Sequence, residues 1–163
     1  MINPVISAGV FIAGKSSVKY TQAKLGRLFV LKFDDGDIML DKLRAFARQK
    51  KLKAALIVFI GALKKGDLVT GPKKPVIPPI PNTVGFKDAW ETLGIGTVFT
   101  NPKGPQIHIH GAMGKKLKTL TGCVRGKSEV FLVVEAVLFE LKGARADKNV
   151  DPVTGLNLLR ILS

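Results

Sequence analysis

Four apolar runs follow one another with only short breaks: Trp90 to Phe99, Gln106 to Met113, Leu117 to Arg125, and Glu129 to Leu141. The breaks Asn101-Pro102-Lys103-Gly104-Pro105 and Gly114-Lys115-Lys116 carry the residues that favour tight reversals. Runs of this length joined by reversals are expected to pair as consecutive antiparallel strands. Upstream, Leu28 to Phe33 is a further β-rich run, ended by the turn chemistry of Asp34-Asp35-Gly36-Asp37. Residues 156–162 supply a last short strand.

One segment has the other periodicity. Ile38, Met39, Leu43, Phe46 and Ala47 recur at helical spacing, with Asp41, Lys42, Arg44 and Arg48 between them. Acids at 35 and 37 and bases at 48, 50 and 51 complement the dipole, so a helix is expected over 37–50. Ala54 to Ile60 is continuously apolar, as a strand covered on both faces would be. Five prolines in 71–85 (Pro72, Pro75, Pro78, Pro79, Pro81) deny helix and interior strand, which leaves a loop or an extended edge. One helix with many hairpin-linked strands reads as α+β, a mainly antiparallel sheet packed against one principal helix.

A chain of 163 residues with 46% hydrophobic and 23% charged residues forms one domain with a full core and excludes disorder. No apolar run approaches the roughly 20 residues that cross a bilayer, so no membrane partner is expected. No basic residue precedes Val5 to Ala13, so that stretch reads as mature sequence and not a leader. The single cysteine, Cys123, excludes an intramolecular disulfide and a multi-cysteine zinc module, and suits a reducing, cytoplasmic location.

Charge is the anomaly, with 26 Lys+Arg against 12 Asp+Glu and a net +14. Such a balance admits nucleic acid or another polyanion as partner, or simply a solvated basic surface. Two clusters near a helix end and a turn are candidates for phosphate contact: Lys50, Lys51 and Lys53, and Lys115, Lys116 and Lys118.

His108 and His110 are the one chemically suggestive pair. Two apart in a strand, they point to one face and could meet one metal ion. If the turn at 114–116 pairs Met113 with Leu117, His110 faces Leu120 and Lys118 lies diagonal on the same face. Cys123 then points away. In that register a cation sits beside the imidazoles, and no metal or other cofactor is expected; a divalent ion, if any, would rest on His108 and His110. Gly94-Ile95-Gly96 lacks the third glycine and the helix of a dinucleotide site, and marks close backbone approach instead. No nucleophile elbow occurs, so no catalytic residue is assigned and a non-enzymatic role is favoured.

The ordered pieces resemble one family. They are Gly26-Arg27-Leu28-Phe29-Val30-Leu31, Asp35-Gly36-Asp37, Ile60-Gly61-Ala62-Leu63, Trp90-Glu91-Thr92-Leu93, Gly104-Pro105-Gln106-Ile107-His108-Ile109-His110, Gly122-Cys123-Val124 with Ser128-Glu129-Val130, and Asp151-Pro152-Val153-Thr154-Gly155. In that order they resemble the plants-and-prokaryotes-conserved (PPC) domain, in its prokaryotic stand-alone form. The resemblance divides the chain into an N-terminal extension, 1–24, and a PPC-like domain, 25–163, and implies a homotrimer. The family's metal-ready pattern runs from His-X-His to a Gly-Gly-His on the next strand, and the third histidine's place falls at or beside Lys118. Plant relatives contact DNA largely through AT-hooks, a basic segment with no counterpart here. Three readings follow: DNA, RNA or another polyanion bound by a basic surface; a protein scaffold using 71–85; or an enzyme or small-molecule site for an anionic substrate, with a degenerate His-X-His pocket lined by His108, His110, Lys118 and Glu91.

Overall fold

The computed structural model describes residues 18–162. The stretch Val5 to Ala13 and most of the 1–24 extension lie outside the described residues. In chain order the elements are β1 (Lys24–Asp34), α1 (Met39–Gln49), β2 (Ala54–Pro72), β3 (Pro81–Asn101), β4 (Gly104–Lys115), β5 (Lys118–Lys142), β6 (Ala146–Val150) and β7 (Asn157–Ile161). The first five strands form one antiparallel sheet in the order β1-β5-β2-β3-β4. β4 also pairs with the first part of β5, which closes that side of the sheet on itself. β6 and β7 make a separate hairpin. The α+β architecture, with one helix among the described residues, is the one expected from the sequence.

The helix forms where the apolar spacing placed it. Met39, Leu43 and Ala47, four apart, are buried, and Phe46 meets Phe29 of β1 edge to face with ring centres 5.2 Å apart. Asp41 in the first turn and Arg48 in the last complement the dipole. Asp37 does not cap the helix. Its carboxylate accepts the Asp34 backbone N–H at 3.1 Å and pairs with Lys42, while Ile38 stands at the N-cap without a side-chain bond.

The core lies between helix and sheet and continues into the closed part of the sheet, with Leu43, Ala55, Leu63, Leu68, Val98, Val130 and Leu138 fully buried. Each large aliphatic buried this way contributes about 1.5–3 kcal/mol. β2 corrects one expectation. It is covered on one face only: Ala55, Ile57 and Phe59 point inward, while Val58 and Ile60 are exposed. It also runs on past Leu63 to Pro72, because Lys64 and Lys65 form ion pairs with Glu129 of the neighbouring β5 and the intervening positions fill the core. The proline-rich stretch shrinks to a connection at 73–80, with Pro72 and Pro81 ending the flanking strands.

The two runs expected at Leu117 to Arg125 and Glu129 to Leu141 are a single strand. β5 does not reverse between them but bulges twice against β2. At one bulge, Gly61 has φ +140, and a Cβ there would stand 2.3 Å from the Val133 carbonyl oxygen. Only glycine lets the two backbones meet there.

Candidate metal centre

β4 carries the two histidines, and its neighbours fix what faces them. Residues directly opposite in an antiparallel ladder share a face. Ile95 of β3 and Cys123 of β5 both stand opposite His110, and Thr97 stands opposite His108. The turn that sets this register is Lys116-Leu117, between the paired Lys115 and Lys118, with Lys116 at φ +54. The reversal is therefore later than Gly114 suggested, and Met113 pairs with Leu120, not Leu117.

That shift brings Cys123 onto the histidine face and removes Lys118 from it. The imidazole nitrogens and the Cys123 sulfur all lie within 4.8 Å of one another, and the two Nε2 atoms are 3.1 Å apart. Lys118 sits opposite Lys115, five residues along β4 from His110, or about 16 Å at strand rise. Glu91 also stands apart. Opposite Gly114, it lines a groove of about 630 Å³ with Ile60, Leu93, Thr92 and Glu135. The expected pocket of His108, His110, Lys118 and Glu91 is thus divided, and only its two histidines remain together.

The electrostatics of the site come from cations. Burial of part of its ring, then the charges of Lys148, His110 and Arg125, push His108 down to about 4. His108 is therefore neutral near pH 7, the form in which imidazole binds a metal. Burial raises the Cys123 thiol, with Arg125 and Lys148 opposing that rise. Arg125 follows Cys123 by two residues on β5, so it shares the face, and continuing the register puts it opposite His108. Lys148, on β6, is 5% exposed, held where the Asn101 side-chain amide donates to its carbonyl oxygen at 2.9 Å. Sequence reasoning missed Cys123 and Lys148. The first needs the register, and the second lies in a hairpin that no pattern ties to the histidines.

The donor set fits a borderline-soft divalent ion such as zinc. Two imidazoles and one thiolate are common zinc ligands, and tetrahedral bonds of about 2.0–2.3 Å place donors roughly 3.3–3.7 Å apart. The histidine nitrogens, 3.1 Å apart, stand slightly inside that spacing, and Cys123 on the adjacent strand, with all three donors within 4.8 Å, supplies the third, so small side-chain shifts bring the set to tetrahedral distances.

The candidate phosphate-contact lysines form two poles. Lys50, Lys51 and Lys53 follow the helix, where Lys50 accepts a bond from Arg27 Nη2 at 2.9 Å through its carbonyl. Lys115, Lys116 and Lys118 mark the far end of β4. Gly104, which begins β4, approaches Arg48 at the helix end, so the poles lie one strand length apart, about 36 Å for its 12 residues. Lys115 pairs with Asp88 at 3.0 Å, whereas the other five have no ion-pair partner among the described residues.

The sequence matches the Plants and Prokaryotes Conserved (PCC) domain, also written PPC, over residues 20–142. The chain belongs to the PPC-domain family. Solved structures agree on the fold. A PPC protein of Pyrococcus horikoshii aligns with TM-score 0.76 and 23% identity over 90% of this chain and 99% of its own. A metal-containing protein of Archaeoglobus fulgidus gives 0.77 and 23% over 88% and 99%. A candidate DNA-binding protein of Ralstonia eutropha gives 0.68 and 23% over 88% and 96%. Among curated proteins there is no sequence match. No helix among the described residues is long and apolar enough to cross a membrane.

Proposed function

We propose that this PPC-domain protein is a homotrimer whose working centre is a divalent-metal site made by His108, His110 and Cys123. The observation that carries this reading is the convergence of three neutral or ionisable donors of zinc type within 4.8 Å across the β4–β5 ladder. The metal-containing Archaeoglobus fulgidus relative of the same fold supports it. Three protein ligands leave a fourth position open, where a bound zinc acts as a Lewis acid or lowers the pKa of water. The chain's own contribution is a neutral His108, a thiol ready to lose its proton to metal, and an open side toward solvent. Trimer formation is supported by the exposed apolar row on the same sheet face, where Val58 stands opposite Ile95 and Ile60 opposite Leu93. Calorimetry with zinc tests the centre: the parent binds one ion per chain, and Cys123→Ser weakens binding at least tenfold. Equal binding by parent and Cys123→Ser overturns it.

A second reading concerns the basic poles. Lys50, Lys51 and Lys53 at one end, and Lys116 and Lys118 at the other, are free to meet the phosphates of DNA or RNA, and relatives described as candidate DNA-binding proteins favour it. Contacts of this kind give affinity that falls steeply with salt and carries little sequence choice. Binding to a duplex that is absent at low salt, or indifferent to added salt, removes this reading.

A further inference from the structure

Among the described residues neither Lys148 nor Arg125 has an ion-pair partner, although Lys148 is almost fully buried. A buried ammonium without an acid is costly, and proteins retain one where something else balances it. Both cations reach the same place. Arg125, two residues beyond Cys123 on β5, shares its strand face one step past the last β4–β5 pair, His110 with Cys123, and buried Lys148 is near enough for its charge to lower the pKa of both His108 and Cys123. A metal ion of charge +2 with one thiolate leaves +1, and the two side chains bring the cluster to +3. None of the nine ion pairs of the described residues reaches either cation, and Asp67, opposite Arg125 in the β2–β5 ladder, forms no ion pair with it.

We propose that the open side of the His108–His110–Cys123 centre is the binding site of a small oxyanion, a carboxylate or phosphate group, held between the metal position, Lys148 and Arg125. This rests on the metal reading and deepens it by naming the ligand class. Lys148 offers a desolvated point charge, and Arg125 a planar donor fork suited to two oxygens of one anion. Lys148 comes from the β6–β7 hairpin, outside residues 20–142 that match the family model. Metal and anion then assist each other. Without an anion the two cations oppose the bare ion, and with one bound the repulsion becomes attraction, so each ligand raises the affinity of the other by the same factor.

Cobalt(II) in place of zinc makes the site visible, since a thiolate ligand gives a charge-transfer band in the near ultraviolet. Cobalt is titrated into the full chain in a non-coordinating buffer, with and without acetate as probe, for the parent, Lys148→Met and Arg125→Gln. Methionine keeps the length and apolar packing of Lys148, and Arg125 is exposed, so both variants keep the fold. In the parent, acetate shifts the visible spectrum and raises cobalt affinity at least fivefold. In each variant the thiolate band persists, cobalt in the absence of acetate binds as well or better, and the acetate effect falls below twofold. An acetate effect equal in parent and variants overturns the anion site, as does its absence from a parent that shows the thiolate band. No thiolate band in the parent means that the metal reading itself fails, and the anion site falls with it.

Discussion

Glu140 receives both arms of the Arg27 guanidinium, Oε1 from Nη2 at 2.7 Å and Oε2 from Nε at 2.8 Å, and Oε2 also accepts the Arg27 backbone N–H at 3.0 Å. The pair fastens the start of β1 to the end of β5, and a further Arg27 bond reaches the Lys50 carbonyl behind the helix. These bonds hold the Glu140 carboxyl down at about 2. An unfolded glutamate titrates near 4.3. The folded value is the lower one, so the contribution is complete above pH ~4.3 and is lost as pH falls toward about 2. Thermal melts of parent and Glu140→Gln therefore differ most at pH 7, converge below pH ~4, and coincide only below pH ~2. A difference that does not change with pH contradicts this assignment.

Lys118→His leaves zinc affinity within twofold of the parent. The side chain at 118 stands at the β4–β5 turn opposite Lys115, about 16 Å along the strand from His110. Under the register expected from Gly114 the same change would complete a three-histidine set. Calorimetry on this one variant separates the two registers, because only the earlier turn gives it tighter zinc binding.

Gly94→Ala lowers stability by about 1–3 kcal/mol. A Cβ at 94 would stand 2.3 Å from Phe59 Cζ and 2.6 Å from the His110 carbonyl oxygen. Either the Phe59 ring or the β4 backbone must move, and the second also displaces a proposed metal ligand. Urea denaturation measures the loss, and a variant as stable as the parent contradicts the close approach.

Ile60→Asp with Leu93→Asp places two like charges opposite each other on the exposed sheet face. If that face joins subunits, sedimentation shows a trimer for the parent and monomer for the double variant, with the fold intact by circular dichroism. A parent that sediments as a monomer at all concentrations removes the assembly. A double variant that remains trimeric moves the interface elsewhere.

What the sequence disclosed was local. The helix followed from Met39, Leu43 and Ala47, the β3–β4 reversal from Asn101 to Pro105, and the role of Gly94 from a glycine inside an apolar run. What it concealed depended on register or on distant partners. Gly114 has the composition of a turn, yet it lies inside β4, and Lys116 takes the positive φ instead. That offset decided whether Cys123 or Lys118 joined the histidines. The expected strand stops at Ile60, and Lys64-Lys65-Gly66-Asp67 carried no strand signal, but they are strand, because Glu129 across the ladder pairs with both lysines. Lys148 carried no signal, since its meaning lies in what it approaches rather than in its neighbours along the chain.

The place of β5 has a consequence for how the chain is made. Among the described residues β1 pairs only with β5, and β2 needs β5 on one edge. Both are synthesised long before residues 133–142 exist. While the chain emerges, β2 and β3 can form their hairpin, but β1 must wait with its backbone groups open to water. Pairing across more than a hundred residues of sequence is slow. Completion of the sheet is thus a late, single closing event, and until it occurs the nascent protein exposes edges that another chain could pair with.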